Sequence, residues 1–413
     1  MEHYITGIEI ENLRHLSKIK IDLNSDKRQH LLLTGKNGSG KTTVLLAICK
    51  YLRAINEGRL TEVKTDFKRW YIEAYENYQN AKTEQEKFEC KKEYEKWKSY
   101  YSEYCDGLEL EFNRYEDLDA LYQDGKFVIA YFPADRKTTI IRPTGVENIQ
   151  LADRYSVDDD PGRILLKYMV HLKTQQSYAR NENDIENAER IQKWFDRFEN
   201  ALKQLLDDET IQLKYNYKEY EFQIIEQGKE AYGFDQLSDG YSSLIHMVSD
   251  LILRMDKNWI LTEGLSEYNV EGIVLIDELE THLHIELQKK ILPFLTEFFP
   301  RIQFIVTTHS PYILNSIQNA KAYDLEKHIV LEHLSAYSSE DLAEAYFDTD
   351  EYSEVLKEKL IKYSELVERE DLTDDERAVR AELKSELSHL SNDMSMDVKI
   401  LFDEIERRRK SHG

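Results

Sequence analysis

Residues 31–46 read LLLTGKNGSGKTTVLL, and this stretch decides the fold more firmly than any other part of the 413-residue chain. The spacing Gly-x-x-x-x-Gly-Lys-Thr runs from Gly35 to Thr42, between an apolar strand and the start of a helix, as in phosphate-binding loops. Gly38 and Gly40 let the backbone curl close to phosphate oxygens, so that N–H groups and the positive end of the next helix point at the anion. The stretch therefore predicts a strand, loop and helix that hold a nucleoside triphosphate.

The side chains of this loop predict how it holds its ligand. Lys41 is expected to place its ammonium group beside the β- and γ-phosphates, and the Thr42 hydroxyl is expected to bind Mg²⁺. ATP and Mg²⁺ are therefore the expected cofactors. The predicted ATP-binding residues are Gly35, Lys36, Asn37, Gly38, Ser39, Gly40, Lys41, Thr42 and Thr43.

Two further strand ends carry the polar side chains that such a site needs. Residues 272–278, GIVLIDE, read as a buried strand that ends in two carboxylates. Asp277 is predicted to hold Mg²⁺, and Glu278 to orient and deprotonate the attacking water. Residues 303–311, QFIVTTHSP, read as another strand, and since α/β sheets gather ligands at strand ends, we expect His309 to sense the γ-phosphate. The predicted catalytic residues are Glu278, His309 and Lys41.

The composition limits the remaining choices. Three cysteines without metal-type spacing suit a reducing cytosol. Neither a signal peptide nor an apolar run long enough to span a bilayer is visible, so we expect a cytoplasmic protein with no membrane partner. The formal net charge of −24 argues against a surface broadly adapted to DNA, although a local basic groove stays open. With 6 prolines and 15 glycines, no stretch resembles a linker, and we expect one large domain with insertions.

The pattern along the chain predicts an α/β head that carries helical insertions. Alternating residues at 3–23, with further apolar runs at 108–112 and 127–132, add strands to a mixed sheet flanked by helices. Aromatic residues at helical spacing predict an inserted helical hairpin at about 61–106, and about 163–206 reads as a further helical region. The aromatic face of the hairpin is either a packed seam, which we favour, or a surface that stacks bases.

The last part of the chain reads as helices. We predict an ATPase head at 1–346 and a C-terminal helical extension at 347–413, in which a capping box at 373–376 opens one helix. After Gly272 the next glycine is Gly413. Because a compact nuclease sheet with tight turns is hard to build without glycine, no intrinsic nuclease domain is expected.

Residues 234–241, FDQLSDGY, resemble the signature motif of ABC-type ATPases and lie between the phosphate loop and the acidic strand, as that motif does. The resemblance implies that this segment binds the γ-phosphate held by a second subunit, so that two chains pair head to tail. A serine at a helix start with a nearby glycine fits an anion site at a helix N-terminus. The residues predicted to act across the dimer are Leu237, Ser238, Asp239, Gly240 and Tyr241.

Residues 276–311, IDELETHLHIELQKKILPFLTEFFPRIQFIVTTHSP, resemble ATPase subunits of bacterial anti-phage systems, above all Septu and the related retron ATPases. They are more distantly similar to overcoming-lysogenization-defect nucleases and to RecF- and SMC-type proteins. The resemblance implies an AAA-family ATPase with an ABC-type α/β head. It also implies an ATP-dependent homodimer, or a higher oligomer of dimers, that controls a partner nuclease of the HNH type, with nucleic acid bound by the complex.

The loop after the acidic strand departs from the family pattern at two positions. Many relatives read Asp-Glu-Pro-Glu-x-His-Leu-His-Pro here, and this chain has Leu279 and Ile285 in place of the prolines. The resemblance places Glu280, His282 and His284 in a loop at the dimer interface. A metal site at the two histidines is the alternative, but no third ligand is evident.

Several alternatives stay open from the sequence. A RecF- or SMC-like ATPase of DNA repair or chromosome maintenance would bind DNA directly, and a switch would bind ATP but hardly turn it over. A transporter subunit would need a coupling surface and a glutamine loop, and neither is recognisable. Arg136 stands near the usual place of the glutamine loop, where it contacts a phosphate or forms a surface ion pair. Arg14 either touches nucleotide or faces solvent.

Overall fold

The structure is a computed structural model, and it describes residues 2–136, 140–261, 270–331, 334, 354–369 and 371–393. The chain divides into two compact units, Met1–Ser339 and Glu340–Gly413. Residues 347–353, 370 and 394–413 of the predicted extension lie outside the described residues. Within the described ranges, no helix has both the length and the apolar character needed to cross a membrane.

In the described part of the first unit, the strands form three sheets. The central sheet has six strands in the order β12-β11-β3-β10-β9-β5, and all neighbours run parallel except β12, which is antiparallel to β11. Two antiparallel sheets have the orders β2-β1-β4 and β6-β7-β8. The strands are β1 (Ile5–Leu13), β2 (Leu16–Asp22), β3 (His30–Thr34), β4 (Leu108–Phe112), β5 (Phe127–Phe132), β6 (Gln212–Asn216), β7 (Glu221–Ile225), β8 (Tyr232–Gly233), β9 (Glu271–Ile276), β10 (Ile302–Thr307), β11 (Ala320–Asp324) and β12 (Ile329–Leu331).

Helices connect these strands, and two further helices lie in the described part of the second unit. A π-helical stretch, Val63–Phe67, joins α2 to α3, and short 3₁₀ turns at Pro161–Ile164 and Phe234–Gln236 precede α6 and α8. The helices are α1 (Lys41–Asn56), α2 (Leu60–Glu62), α3 (Lys68–Asn80), α4 (Glu84–Tyr104), α5 (Leu118–Gln123), α6 (Leu165–Asn181), α7 (Ile185–Leu206), α8 (Asp239–Leu261), α9 (Ile285–Phe298), α10 (Pro311–Leu314), α11 (Glu354–Glu368) and α12 (Asp374–Asp393).

The central strands explain where the site lies. Every residue of β3, β9 and β10 is buried, as is typical of parallel strands covered on both faces. Because these three strands are neighbours and parallel, their carboxyl ends meet at one edge of the sheet. The predicted α/β class, with a mixed and mostly parallel sheet flanked by helices, is confirmed.

The inserted hairpin is formed by α3 and α4, which pack through aromatic side chains. A capping box starts α4, because the Thr83 hydroxyl accepts from the Glu86 backbone N–H and the Glu86 carboxylate accepts from Thr83 N–H. The ring pairs that meet across the hairpin are Trp70–Trp97, Tyr71–Tyr101 and Tyr78–Tyr94, with centroids 4.6, 5.2 and 5.8 Å apart. These rings pack against one another across the hairpin, as expected for a packed seam.

The second unit has a small core of its own, formed by α11 and α12. The Thr373 hydroxyl accepts from the Glu376 backbone N–H, and the Glu376 carboxylate accepts from Thr373 N–H, so the predicted capping box starts α12. The buried apolar side chains are Tyr363, Leu366, Val367, Leu372, Leu383 and Leu387.

Candidate functional site

The predicted phosphate loop joins the end of β3 to the start of α1. Gly35, Gly38 and Gly40 have φ angles of +128°, +85° and +98°, which side chains with a Cβ rarely adopt. At Gly40 a Cβ would also lie 2.9 Å from Leu16 Cδ1, so this position needs glycine for space as well. The Ser39 hydroxyl oxygen is buried without a hydrogen-bond partner. The loop thus has the curled backbone that the sequence predicted.

Lys41 is buried at the first position of α1. Its Nζ donates to the carbonyl oxygens of Gly35 and Lys36, at 2.8 and 3.1 Å, which keeps the ammonium group within the curve of the loop. Burial lowers the pKa of Lys41, and the carboxylates of Glu278 and Glu280 oppose that shift. Lys41 therefore lies inside the loop, close to acidic side chains that favour its charged form.

Thr42 and Asp277, the predicted magnesium ligands, meet although they lie 235 positions apart in the chain. The Thr42 hydroxyl donates to Asp277 Oδ1 at 3.2 Å. The Thr307 hydroxyl donates to the same oxygen at 2.6 Å and accepts from the Glu278 backbone N–H at 2.7 Å. A hydroxyl and a carboxylate are oxygen ligands of the kind that Mg²⁺ prefers, so this pair fits the ion. Sequence reasoning missed Thr307, which links both acidic residues.

Glu278 begins the loop after β9 in a strained conformation. Its φ is +45°, which is uncommon for a residue with a side chain and costs about 1–3 kcal/mol that the surrounding contacts must offset. The Thr281 hydroxyl donates to Glu278 Oε2 at 3.4 Å, and the Thr281 backbone N–H donates to the Glu278 carbonyl at 3.0 Å. The strain turns the Glu278 side chain away from the direction that a continuing strand would give it.

Arg136 holds this loop from the end of β5. Its guanidinium donates to the carbonyl oxygens of Asp277 and Glu278, at 2.7 and 3.0 Å, and to the Ser243 hydroxyl at 2.9 Å. Ser243 lies on α8, so Arg136 joins the acidic loop to the predicted signature helix. The sequence offered a phosphate contact or a surface ion pair for Arg136. The contacts above go to backbone carbonyls and a hydroxyl, and the phosphate contact stays a prediction. No local sequence pattern predicts these contacts of Arg136, because the partners are distant in the chain.

His309 and Glu280 lie against each other beside this loop. The His309 backbone N–H donates to Glu280 Oε1 at 2.5 Å. His309 Nε2 and Glu280 Oε2 are both buried without a hydrogen-bond partner. Burial lowers the pKa of His309, and the nearby charge of Lys41 lowers it further, so the imidazole is neutral at physiological pH. The unpaired Nε2 of His309, close to Lys41, is the kind of atom that a phosphate-binding site would leave for its ligand.

The predicted signature segment starts α8. The Ser242 backbone N–H donates to the Ser238 carbonyl at 2.9 Å, and the Ser238 and Asp239 side chains are exposed. Gly240 is buried, and a Cβ there would lie 2.5 Å from the His282 carbonyl oxygen. The signature segment therefore contacts the predicted interface loop through a position where only glycine fits.

His282 and His284 are exposed on this loop, and His282 has a φ of +65°. In the part of the chain that the structure describes, no group of three or more histidine, cysteine, aspartate or glutamate side chains is arranged to hold a metal ion. The alternative of a metal site at the two histidines thus gains no support from the described residues.

The chain matches known families and proteins over most of this head. A model of the AAA domain matches residues 8–237, and a second AAA domain model, whose description also names the AbiEii toxin and a type IV TA system, matches residues 170–315. Septu protein PtuA of Bacillus mycoides (strain KBAB4) is 26% identical over 324 residues, which are 76% of this chain and 39% of that protein. The Retron Vc95 probable ATPase of Vibrio cholerae serotype O1 biovar El Tor is 31% identical over 233 residues, 55% of this chain and 42% of that protein.

The matches differ in how much of each known protein they cover. The chain spans about two fifths of the length of both relatives. A solved structure described as the SmcHead bound to the C-winged helix domain of ScpA has a TM-score of 0.41 and 14% identity, and the match covers 81% of this chain and 100% of that chain. The predicted resemblance to Septu and retron ATPases is confirmed by sequence identity. Because an AAA domain model covers more than half of the chain, this protein belongs to the AAA domain family of ATPases.

Proposed function

We propose that this protein is the ATP-binding and ATP-hydrolysing subunit of a bacterial anti-phage defence complex. ATP joins two chains head to tail, and hydrolysis loosens the joint and thereby controls a partner nuclease of the HNH type. The observation that carries the proposal is the convergence of Lys41, the Thr42–Asp277 pair, Glu278 and His309 at one edge of the central sheet. Similarity to Septu and retron ATPases supports the defence setting.

The side chains at this edge of the sheet have different roles in ATP hydrolysis. Thr42 and Asp277 would hold Mg²⁺, which would supply positive charge beside the phosphates. Lys41 brings a second positive charge to the same oxygens, and neutral His309 can donate from Nε2 to the γ-phosphate. Glu278, one residue beyond Asp277, can orient the attacking water and accept its proton.

The dimer step rests on the start of α8. The exposed Ser238 and Asp239 leave the N-terminus of a 23-residue helix open to an anion, and backbone N–H groups there favour phosphate. A γ-phosphate held by the partner chain can bind at this helix start. Since Gly240 packs against the His282 carbonyl, the signature segment and the interface loop would move as one surface.

Two substitutions test the nucleotide site. Lys41→Ala is expected to lower ATP affinity about 100-fold, because a charged contact with the phosphates worth about 3 kcal/mol is lost. Glu278→Gln is expected to retain ATP and to hold the ATP-bound dimer, because an amide cannot accept the proton of the attacking water. Calorimetry measures the affinity, and sedimentation velocity measures the oligomeric state with and without ATP.

Matched control variants separate changes in ATP affinity and oligomeric state from a general loss of folding. Lys50→Ala on α1 and Glu297→Gln on α9 make the same chemical changes at surface positions and are expected to behave like the wild type. Equal ATP affinity in the wild type and Lys41→Ala would contradict the proposed site. A Glu278→Gln variant that binds ATP but stays monomeric would contradict the dimer step.

The partner and its substrate need a separate experiment. DNA cleavage is measured after adding the product of the adjacent reading frame, with ATP and with the Glu278→Gln variant. Cleavage that depends on both the HNH protein and the nucleotide state supports the proposal, and a neighbouring recombination gene would contradict it. Steeply salt-dependent DNA binding by the isolated chain would favour a RecF- or SMC-like role instead.

A further inference from the structure

Glu280 contacts the nucleotide site of its own chain, although the sequence predicts it for a loop at the dimer interface. His282 and His284 of that loop are exposed, whereas Glu280 is half-buried. Glu280 Oε1 accepts from the His309 backbone N–H at 2.5 Å. Burial lowers the pKa of Arg136, and the carboxylate of Glu280 is the strongest of the nearby charges that oppose this shift. The Glu280 side chain therefore lies among the site residues.

The backbone of His309 decides where its imidazole lies. His309 Nε2 has no hydrogen-bond partner in the protein, so this atom does not fix the ring. The strand β10 ends at Thr307, and the backbone N–H of His309 donates to the Glu280 carboxylate, 29 positions away in the chain. A hydrogen bond to an ionised acceptor is roughly twice as strong as one between neutral groups. Glu280 is therefore an anchor for the residue predicted to sense the γ-phosphate.

A second set of contacts joins the same two segments. The Ser310 hydroxyl donates to Gln288 Oε1 at 2.6 Å, and Gln288 Nε2 donates to the Leu283 carbonyl at 2.7 Å. The Leu283 backbone N–H in turn donates to the Glu280 carbonyl at 2.9 Å. The loop after β9 and the segment after β10 thus form one hydrogen-bonded network within a single chain.

We propose that Glu280 is a positioning residue that holds His309 at the γ-phosphate of the ATP bound to the same chain. The carboxylate anchors the His309 backbone, and the imidazole donates from Nε2 to the phosphate. This inference rests on the proposed function, because it assigns Glu280 a part in the same nucleotide site. It gives Glu280 a role within one chain, whereas the resemblance implies a role between two chains.

Nucleotide affinity tests this role without requiring hydrolysis. The full-length protein is titrated with ATPγS and with ADP, each with Mg²⁺, and the ratio of the two affinities measures recognition of the γ-phosphate. Glu280→Ala and His309→Ala are each expected to lower this ratio about tenfold and to leave ADP affinity unchanged, because the contact of Nε2 with the γ-phosphate is lost. The double variant is expected to match His309→Ala, because Glu280 acts through His309.

Two conservative variants separate the hydrogen bond from the charge. Glu280→Gln keeps an oxygen that accepts from the His309 N–H, and we expect the wild-type ratio. Glu280→Asp keeps the charge but is one methylene shorter, and we expect the low ratio of Glu280→Ala. Glu286→Ala removes an exposed carboxylate that pairs with Lys289 on α9, and this matched control is expected to behave like the wild type. Thermal unfolding checks that each variant is folded, and if Glu280→Ala is not, the comparison of Glu280→Gln with Glu280→Asp decides.

Four results would overturn the positioning role. The ratio in Glu280→Ala equals that of the wild type. The double variant has a clearly lower ratio than His309→Ala. Glu280→Gln has the low ratio of Glu280→Ala, so that the charge matters and not the hydrogen bond. Glu280→Ala, added to Glu278→Gln at saturating ATP, abolishes the dimer and so places Glu280 at the interface.

The failure of this proposal is distinguishable from a failure of the proposed function. The first three of these results leave ATP binding at Lys41 and the pairing of two chains standing. A wild type that binds ATPγS and ADP equally would remove γ-phosphate sensing by His309 from the proposed function, and the role of Glu280 with it. Lys41→Ala with unchanged affinity for both nucleotides would instead refute the phosphate-loop site.

Discussion

Arg136→Ala removes the clamp between three parts of the site. In the wild type, the guanidinium holds the carbonyl oxygens of Asp277 and Glu278, at 2.7 and 3.0 Å, and the Ser243 hydroxyl at 2.9 Å. Alanine leaves these acceptors without the charged donor, and the backbone at Glu278 loses what holds it at a φ of +45°. We expect the loop to relax toward an unstrained conformation in which Glu278 no longer faces the attacking water.

The strain at Glu278 sets the size of the effect. A residue held at such a φ stores about 1–3 kcal/mol, so release makes the productive conformation the minor one by a similar free energy. This corresponds to a fall in kcat of about 5- to 150-fold. KM for ATP is expected to change by less than about twofold, since Lys41 and the phosphate loop are untouched.

Steady-state ATP hydrolysis separates the two parameters, and thermal unfolding checks that each variant is folded. Arg136→Lys keeps the charge but not the planar fork, so an intermediate kcat is expected. Arg53→Ala removes an arginine that pairs with Asp158 at the surface and serves as the matched control. An unchanged kcat in Arg136→Ala would refute the clamp. A raised KM with unchanged kcat would mean that Arg136 contacts a phosphate instead.

Two further substitutions test buried polar contacts. Thr307→Val removes the hydroxyl that joins Asp277 to the Glu278 backbone, and we expect the free energy of unfolding in urea to fall by about 1–3 kcal/mol and ATP hydrolysis to need more Mg²⁺. Thr296→Val removes a partly exposed hydroxyl and is the control. Equal Mg²⁺ dependence in the wild type and Thr307→Val would contradict the role of this contact. Burial raises the pKa of Asp256 to about 7, so its ionisation costs stability as pH rises from about 4 to 7, and the full cost is present above pH 7. Asp256→Asn lacks this cost, and its stability advantage in urea is expected to be about 1 kcal/mol larger at pH 8.5 than at pH 6. An advantage that does not change with pH would refute the raised pKa.

The strand-and-loop order of the head was predictable because its signals are local. The phosphate loop needs glycines, Lys41 and Thr42 at fixed spacing, and the acidic strand is a run of apolar residues that ends in Asp277. The hairpin was predicted from aromatic residues at helical spacing, and α3 and α4 pack through such residues. The roles of individual site residues remain predictions that the experiments above can test.

Other features depend on residues that are far apart in the sequence. Arg136 and Ser243 are 107 positions apart, and no spacing rule connects them. From the sequence, Thr307 was predicted only as the end of a strand. Its contacts with Asp277 and Glu278 form because β9 and β10 are neighbours in the sheet. The contact between Glu280 and His309 likewise requires the loop after β9 to lie beside the end of β10.

The sequence by itself determined the kind of chemistry, since phosphate binding relies on backbone curvature and side chains within about ten consecutive residues. It also determined the α/β class, because buried parallel strands are continuous apolar runs. Only the tertiary structure decided how Glu278 is strained and held, and which buried polar atoms stay unpaired. These properties arise when distant segments pack, because packing decides which donors and acceptors meet and which are left for a ligand.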